Sequence, residues 1–368
     1  MQRTLKFIKT NAVMLIAALA AIITSIIVPP DREYLDYFDF KTLSCLFSVL
    51  AVVCALRNIR FFYTMAKAII RKFKNAKVCV LALVYITFIG SMLIANDMAL
   101  LTFLPLGYFV LHTTGKEKYM AFTFIMQNIA ANLGGMLTPF GNPQNLYLYS
   151  KFSIPDLEFI KIMFPPFIVS IVLITACCLI FVKNEPMVIE EKAASLPKAR
   201  VSIYLVLFAL SILIVFNVFH YLIGVAVITA ALLILDRRAL LDVDYGLLFT
   251  FVFFFIFSGN MARIDAVRSF FSYLLEKNTL VVSALSCQFI SNVPSAILLS
   301  QFTDNYKELL LGVNIGGAGT MIASLASLIT FREYSKQDPG HTARYLLKFS
   351  LFNFAFLGIL MLFCHLFK

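Results

Sequence analysis

Charge is scarce in this sequence. Only 14% of its 368 residues are charged, 61% are hydrophobic, and the mean hydropathy is +0.88. About a quarter of a soluble domain is charged, so that class is excluded. The alternating segments of about ten residues that mark a membrane β-barrel are missing too. There is no G-x-x-x-x-G-K-[ST] loop, so the chain does not itself hydrolyse ATP. Neither H-E-x-x-H nor G-x-S-x-G occurs, and no nucleophile–base pair stands out, which argues against an enzyme. The seven cysteines (45, 54, 79, 177, 178, 287, 364) show no C-x-x-C or Cys/His spacing, so they predict no metal site. They read as small buried apolar residues, and only the adjacent Cys177-Cys178 leaves a redox or soft-metalloid role open. Ile26-Ile27-Val28-Pro29 offers no small-x-small cleavage site. The first apolar run, preceded by Arg3, Lys6 and Lys9, is therefore expected to be a retained helix rather than a signal peptide.

What is abundant is apolar sequence in runs of about 17 to 20 residues, which predicts an all-α polytopic membrane protein. Spans are expected at 11–28, 42–56, 119–149, 159–182, 201–219, 221–235, 245–259, 306–331 and 342–367. Residues 29–41 carry four acidic residues against two basic ones, whereas 57–77 carry seven basic residues and no acidic one. Basic loops stay in the cytoplasm, so the N-terminus is expected inside, 29–41 outside and 57–77 inside. The net charge of +11 is read the same way and not as a sign of nucleic-acid binding. Within 57–77, Arg60, Thr64, Lys67, Arg71 and Lys74 oppose Phe62, Met65, Ala66, Ile69 and Phe73 at helical spacing. That pattern predicts an amphipathic helix on the inner membrane surface. A second is expected over 264–276.

Two segments resist reading as plain spans. At 78–111, two apolar legs are separated only by Ala95-Asn96-Asp97, and both flanks are basic. This predicts a re-entrant helical hairpin. A second hairpin is expected at 280–302, around Ser291-Asn292-Val293-Pro294-Ser295. The spans that follow are each interrupted. Residues 132–146 read Asn-Leu-Gly-Gly-Met-Leu-Thr-Pro-Phe-Gly-Asn-Pro-Gln-Asn-Leu, which a continuous helix would not tolerate. Similar text returns 182 residues later, with Asn132/Asn314, Gly134/Gly316, Gly135/Gly317, Thr138/Thr320 and Leu146/Leu328 identical. The pairs Asn142/Ser324 and Asn145/Ser327 are polar swaps. The sequence therefore divides into a first repeat at 1–182, a cytoplasmic connector at 183–200 and a second repeat at 201–368. The first repeat has no partner for 201–219. Nine crossings plus two hairpins put the C-terminus outside. Equivalent elements lie five crossings apart, so the repeats are inverted, and the two tips are expected to meet near the midplane.

Helices broken at matching points of two halves predict a binding site. Freed N–H groups suit an anion, while freed carbonyls with Asn132, Thr138 and Asn145 suit a small cation. Gly134, Gly135 and Gly141 permit close approach. A kinked packing helix is the plainer alternative for one such motif. Asp97 is the sharpest single feature, because a carboxylate inside an apolar element usually marks an ion or proton path. Its plainer alternative is a helix cap. Val293 stands in the corresponding place of the second tip, so one carboxylate is expected at the site. The candidate substrate- and ion-binding residues are Asn96, Asp97, Asn132, Gly134, Gly135, Thr138, Gly141, Asn142, Asn145, Ser291, Asn292, Pro294, Asn314, Gly316, Gly317, Thr320 and Ser324. No cofactor or tightly bound metal is expected. Transient Na⁺ near Asn96 and Asp97, or H⁺, is the expected coupling ion.

These hairpin tips and paired breaks resemble the ion transporter superfamily, which includes arsenite permeases, citrate and dicarboxylate transporters and sodium/proton antiporters. The resemblance covers nearly the whole chain and is nearest to small bacterial inner-membrane permeases close to the arsenite permeases. It implies a secondary transporter with a mobile part that carries the hairpins and broken helices, often moving as an elevator, and a homodimer. It places Asn96, Thr138, Asn292 and Thr320 in the substrate and cation sites. Sodium-coupled dicarboxylate members carry Ser-Asn-Thr at both tips. Here the tips are Ala95-Asn96-Asp97 and Ser291-Asn292-Val293, which favours the branch with the aspartate. The expected function is transport of a small anion or related solute coupled to H⁺ or Na⁺. A cation/proton antiporter using Asp97, and a channel or the membrane subunit of an ATP-driven pump, stay open as alternatives.

Overall fold

The computed structural model of the protein describes residues 11–187 and 196–367. Arg3, Lys6, Lys9 and the middle of the 183–200 connector lie outside them. Among the described residues the fold is all-α, with short 3-10 turns and one isolated antiparallel bridge between Asn75 and Pro186. Six helices among the described residues are long and apolar enough to cross a membrane. Many of their large apolar side chains face outward, such as Ile180 and Leu347, each 73% exposed. In water such a surface would aggregate, whereas in a bilayer it is solvated.

The helices begin where the sequence supplies caps. Helix α1 is Ala12–Ile27 and α2 is Phe40–Asn58. The α2 N-terminus is held by Asp39, which accepts from the Thr42 amide at 2.8 Å. The expected amphipathic helix forms as α3, Phe61–Ile70. It stops short of Arg71 and Lys74 and starts after Arg60, which turns the chain with φ 56°. The first hairpin consists of α4, Ala76–Ile94, and α5, Asn96–Thr113. Then come α6, Met120–Gly134, α7, Pro143–Lys151, and α8, Asp156–Phe181. The first helix break lies between α6 and α7, and Pro143 opens α7 where its missing N–H costs nothing.

The second half contains α9, Lys198–Val215, α10, Tyr221–Leu235, a short α11, Arg237–Leu241, and α12, Tyr245–Ala262. Helix α13, Asp265–Ile290, kinks at Asn278 (φ −165°, ψ 90°). Its first part, 265–277, is the second amphipathic stretch, and its second part, 279–290, is a leg of the second hairpin. The other leg is α14, Asn292–Leu299. The second break separates α15, Tyr306–Ile315, from α16, Leu325–Gln337, and α17 is Thr342–Leu366. The two hairpins differ in length. The first has legs of 19 and 18 residues, the second a leg of 8 residues after its tip. At 1.5 Å per residue α4 is about 28 Å long, close to a full hydrocarbon core.

Polar contacts between elements sort the loops into two sets. Asn58 donates to Asp236, and Glu185 pairs with Lys116 and Lys118 at 2.8 and 2.6 Å. Arg263 pairs with Asp31 at 2.7 Å, and Lys307 with Glu158 at 2.9 Å. The first set contains the loops expected inside, and the second those expected outside. Helix α1 runs alongside α12, where Asn260 donates to Thr24 and Ser25. The lysines beside Glu185 lower its carboxyl to about 2. A depressed carboxylate stabilises the fold above its unfolded value, about 4.3, and loses that contribution as pH falls toward 2. Glu185→Gln is therefore expected to lower the melting temperature slightly at pH 6 and by clearly less near pH 2.5. Thermal melts at the two pH values check this.

Candidate functional site

Both hairpins turn through one unusual backbone shape. Ala95 has φ 63° and ψ 151°, and Ser291 has φ 73° and ψ 159°. L residues rarely adopt this region, and each instance costs about 1–3 kcal/mol. The next residue at each tip is asparagine, and its side-chain oxygen takes the following amide. Asn96 accepts from Asp97 N–H at 3.0 Å and Asn292 from Val293 N–H at 2.9 Å. Ala95→Gly should therefore raise the melting temperature, by the equivalent of roughly 1 kcal/mol, although glycine for alanine normally destabilises. A thermal melt showing a clear fall would contradict the strain.

Each break is latched to its hairpin by a threonine. Thr138 donates to the carbonyl of Met92 at 2.8 Å, three residues before Ala95. Thr320 donates to the carbonyl of Gln288 at 3.0 Å, three residues before Ser291, and Gln288 also accepts from the Thr320 amide. Gly134 packs against the first hairpin so closely that a Cβ would lie 2.2 Å from the Phe88 carbonyl oxygen. Gly135 and Gly141 face each other across the first break, where a Cβ on Gly141 would lie 2.3 Å from the Gly135 oxygen. Gly316 packs against Ala284 in the second hairpin.

A buried amide network joins the two breaks. Asn145 directs its amide nitrogen at the carbonyls of Gly135, Met136 and Thr138, each at 3.2 Å. Its oxygen accepts from Asn314 at 2.6 Å. Asn142 donates to the Asn132 carbonyl and to Asn314, and Gln144 donates to Asn314. Asn132 in turn accepts from Asn96 at 3.2 Å. Across from it, a Cβ on Gly317 would meet Asn292 at 3.2 Å and Asn132 at 3.6 Å. Each tip thus reaches its own break, and the two breaks approach one another at Asn132 and Gly317.

In front of this network lies a cavity of about 370 Å³. Its polar wall comes from Asn96, Asp97, Gln144, Asp244, Thr250, Ser291, Asn292 and Ser324, with Pro143 and Pro294 between them. Ile16, Phe254 and Phe257 are among its apolar lining. No lysine or arginine among the described residues lines it. Three buried acceptors here have no hydrogen-bond partner: Asp97 Oδ1, Asn142 Oδ1 and Gln144 Oε1. Natively folded proteins leave few such atoms unsatisfied, so groups of this kind call for an explanation. Among the described residues no cluster of three or more His, Cys, Asp or Glu side chains is arranged to hold a metal.

The structure divides the expected site residues into three groups. Asn96, Asp97, Ser291, Asn292, Pro294 and Ser324 line the cavity. Asn132, Asn142, Asn145 and Asn314 form the network behind it. Thr138, Thr320 and the glycines hold breaks and hairpins together, and none of them lines the cavity. The expectation of a single carboxylate needs correction, because Asp244 shares the cavity with Asp97. In sequence Asp244 is simply an acidic residue before an apolar run, and it does cap α12, accepting from Leu247 N–H at 2.9 Å. Only the packing brings it to the hairpin tips. Gln144 sits inside the first motif and could have been included by its place among the polar residues there. Gln127 and Asn128 serve helix packing: Gln127 donates to Thr87 and to the Phe103 carbonyl, and Asn128 to Ser327 and Asn353.

Comparison with known proteins agrees with this geometry. The chain is 33% identical over 302 residues, 82% of each chain, to an uncharacterized transporter of Methanocaldococcus jannaschii, MJ0456. It is 27% identical over 304 residues, 80% of each chain, to the inner membrane protein YbiR of Escherichia coli. Residues 2–306 match the family described as citrate transporter, a stretch that includes both hairpins and the first break. A polytopic helical protein with this match is a membrane transporter and not an enzyme, and it belongs to the citrate transporter family.

Proposed function

We propose that the protein is a secondary active transporter that moves a small anion or related solute across the cytoplasmic membrane, coupled to H⁺ or Na⁺ through Asp97. The observation that carries this reading is the meeting of the two hairpin tips and the two helix breaks at one cavity with a polar wall. Helices α5 and α14 start at that cavity with Asn96 and Asn292, so the positive ends of two helix dipoles face an anionic oxygen there, while the Asp97 and Val293 N–H groups are held by the two asparagine side chains. Asp97 offers a carboxylate oxygen that no protein group satisfies.

In this reading residues 1–182 and 201–368 are inverted repeats joined by a cytoplasmic connector. The N-terminus is inside and the C-terminus outside. The hairpins, α7 and α16 move as one body in an elevator step against a scaffold that includes α1 and α12, and two copies pair as a homodimer. Proteoliposomes test it. Uptake of a labelled anion from a panel that includes citrate should follow an imposed Na⁺ or pH gradient and collapse with an ionophore. Uptake that needs ATP would sink the proposal in favour of a pump subunit.

A second reading, cation/proton antiport at Asp97, is favoured by one observation: the cavity holds two carboxylates, and no basic side chain among the described residues lines it. A Na⁺ pulse that shifts lumenal pH with no anion present would establish antiport, and an unchanged pH would remove it.

A further inference from the structure

We infer that Asp244 and Asp97 together hold one hard, oxygen-seeking cation, with the Gln144 side-chain oxygen as a third ligand. This deepens the proposed function and rests on it, since it assigns the coupling-ion site to residues on two different elements.

Two carboxylates line one cavity, and no basic side chain among the described residues lines it with them. Both side chains are half-buried, and a charge drawn out of water is normally paired or coordinates a metal. Gln144 lines the same cavity, only 1% exposed, with its nitrogen donating to Asn314 and its oxygen without a partner. Asp97 Oδ1 is likewise buried and unpartnered. Asp244 uses one oxygen to cap α12 at Leu247 and keeps the other. The unused atoms are all oxygens, which suits Na⁺, Mg²⁺ or Ca²⁺ and not a thiophilic metal. Asp97 belongs to the first hairpin and Asp244 to the start of α12. A cation between them ties the hairpin to α12, and its release frees one from the other. The bound ion thus sets both charge balance and movement.

The test is thermal melting of the purified full-length protein in detergent. NaCl is titrated against choline chloride at constant ionic strength, and MgCl₂ and CaCl₂ are titrated separately. One cation series should raise the melting temperature saturably in the wild type. Asp244→Asn keeps the helix cap, since asparagine caps as well as aspartate. Its melting temperature without the cation should match the wild type, while the half-saturating concentration rises about 10-fold or more. Asp244→Ser, also a competent cap, should behave alike and serves if the first variant folds poorly. Asp97→Asn should weaken the same series. Unchanged half-saturation in both Asp244 variants, with loss in Asp97→Asn, overturns the shared site and leaves Asp97 coupling standing. Absence of any cation effect in the wild type, alongside proton-driven anion uptake in liposomes, overturns the shared site and leaves transport standing. Absence of both overturns the transport reading with it.

Discussion

Asn145→Asp is expected to destabilise the protein by roughly 4 kcal/mol or more and to prevent recovery of monodisperse material. The substitution barely changes shape. It keeps the oxygen that accepts from Asn314 at 2.6 Å. What it removes is the nitrogen aimed at the carbonyls of Gly135, Met136 and Thr138. Those carbonyls are freed because α6 ends at Gly134 and α7 does not begin until Pro143. In a bilayer no water compensates them. Each buried unsatisfied group costs about 1–3 kcal/mol, and a carboxylate set among carbonyl oxygens adds a repulsive charge. Asn145 is fully buried, so solvent cannot relieve it. Size-exclusion profiles and melting temperatures of detergent-purified variants decide the matter. An Asn145→Asp protein that elutes as one peak and melts within a degree or two of wild type would show that the break is not held by this amide.

That network also shows what the sequence could and could not reveal. The breaks were legible because Gly and Pro inside an apolar segment forbid continuous helix whatever the tertiary context. The hairpins were legible because three small or polar residues cannot form an exposed loop between apolar legs. Boundaries were less so. Helix α3 ends at Ile70 although the basic stripe continues to Lys74, since pattern alone does not say where packing stops. The strained tip at Ala95 had no signal, because neither alanine nor serine announces a positive φ. Thr138 and Thr320 read as ligands by residue type, yet their hydroxyls are spent on hairpin carbonyls. Which partner satisfies a hydroxyl is decided by elements about 30 to 45 residues away along the chain, and local pattern does not carry that information. Asp244 is the clearest case, for its role as a cap is local and its place at the cavity is not.

Asp97→Asn is expected to reduce gradient-driven transport about 10- to 100-fold while leaving the fold intact. Removing an interaction with a charged group costs about 1.5–3 kcal/mol, which corresponds to that range. The fold should survive because Asp97 Oδ1 has no protein partner to lose, and the hydrogen bond from Asp97 N–H to Asn96 Oδ1 involves only the backbone of residue 97. A structural carboxylate would behave in the opposite way, its loss appearing first in stability. The measurement is paired. Uptake into liposomes is recorded with and without the ion gradient, and exchange of substrate across the membrane is recorded with no gradient at all. Loss of accumulation with exchange retained identifies Asp97 as the group through which the gradient acts. Loss of both would place Asp97 in substrate binding and not in coupling. Unchanged accumulation would return Asp97 to a helix-end residue, and the coupling would then have to lie elsewhere in the cavity, where Asp244 is the remaining carboxylate among the described residues.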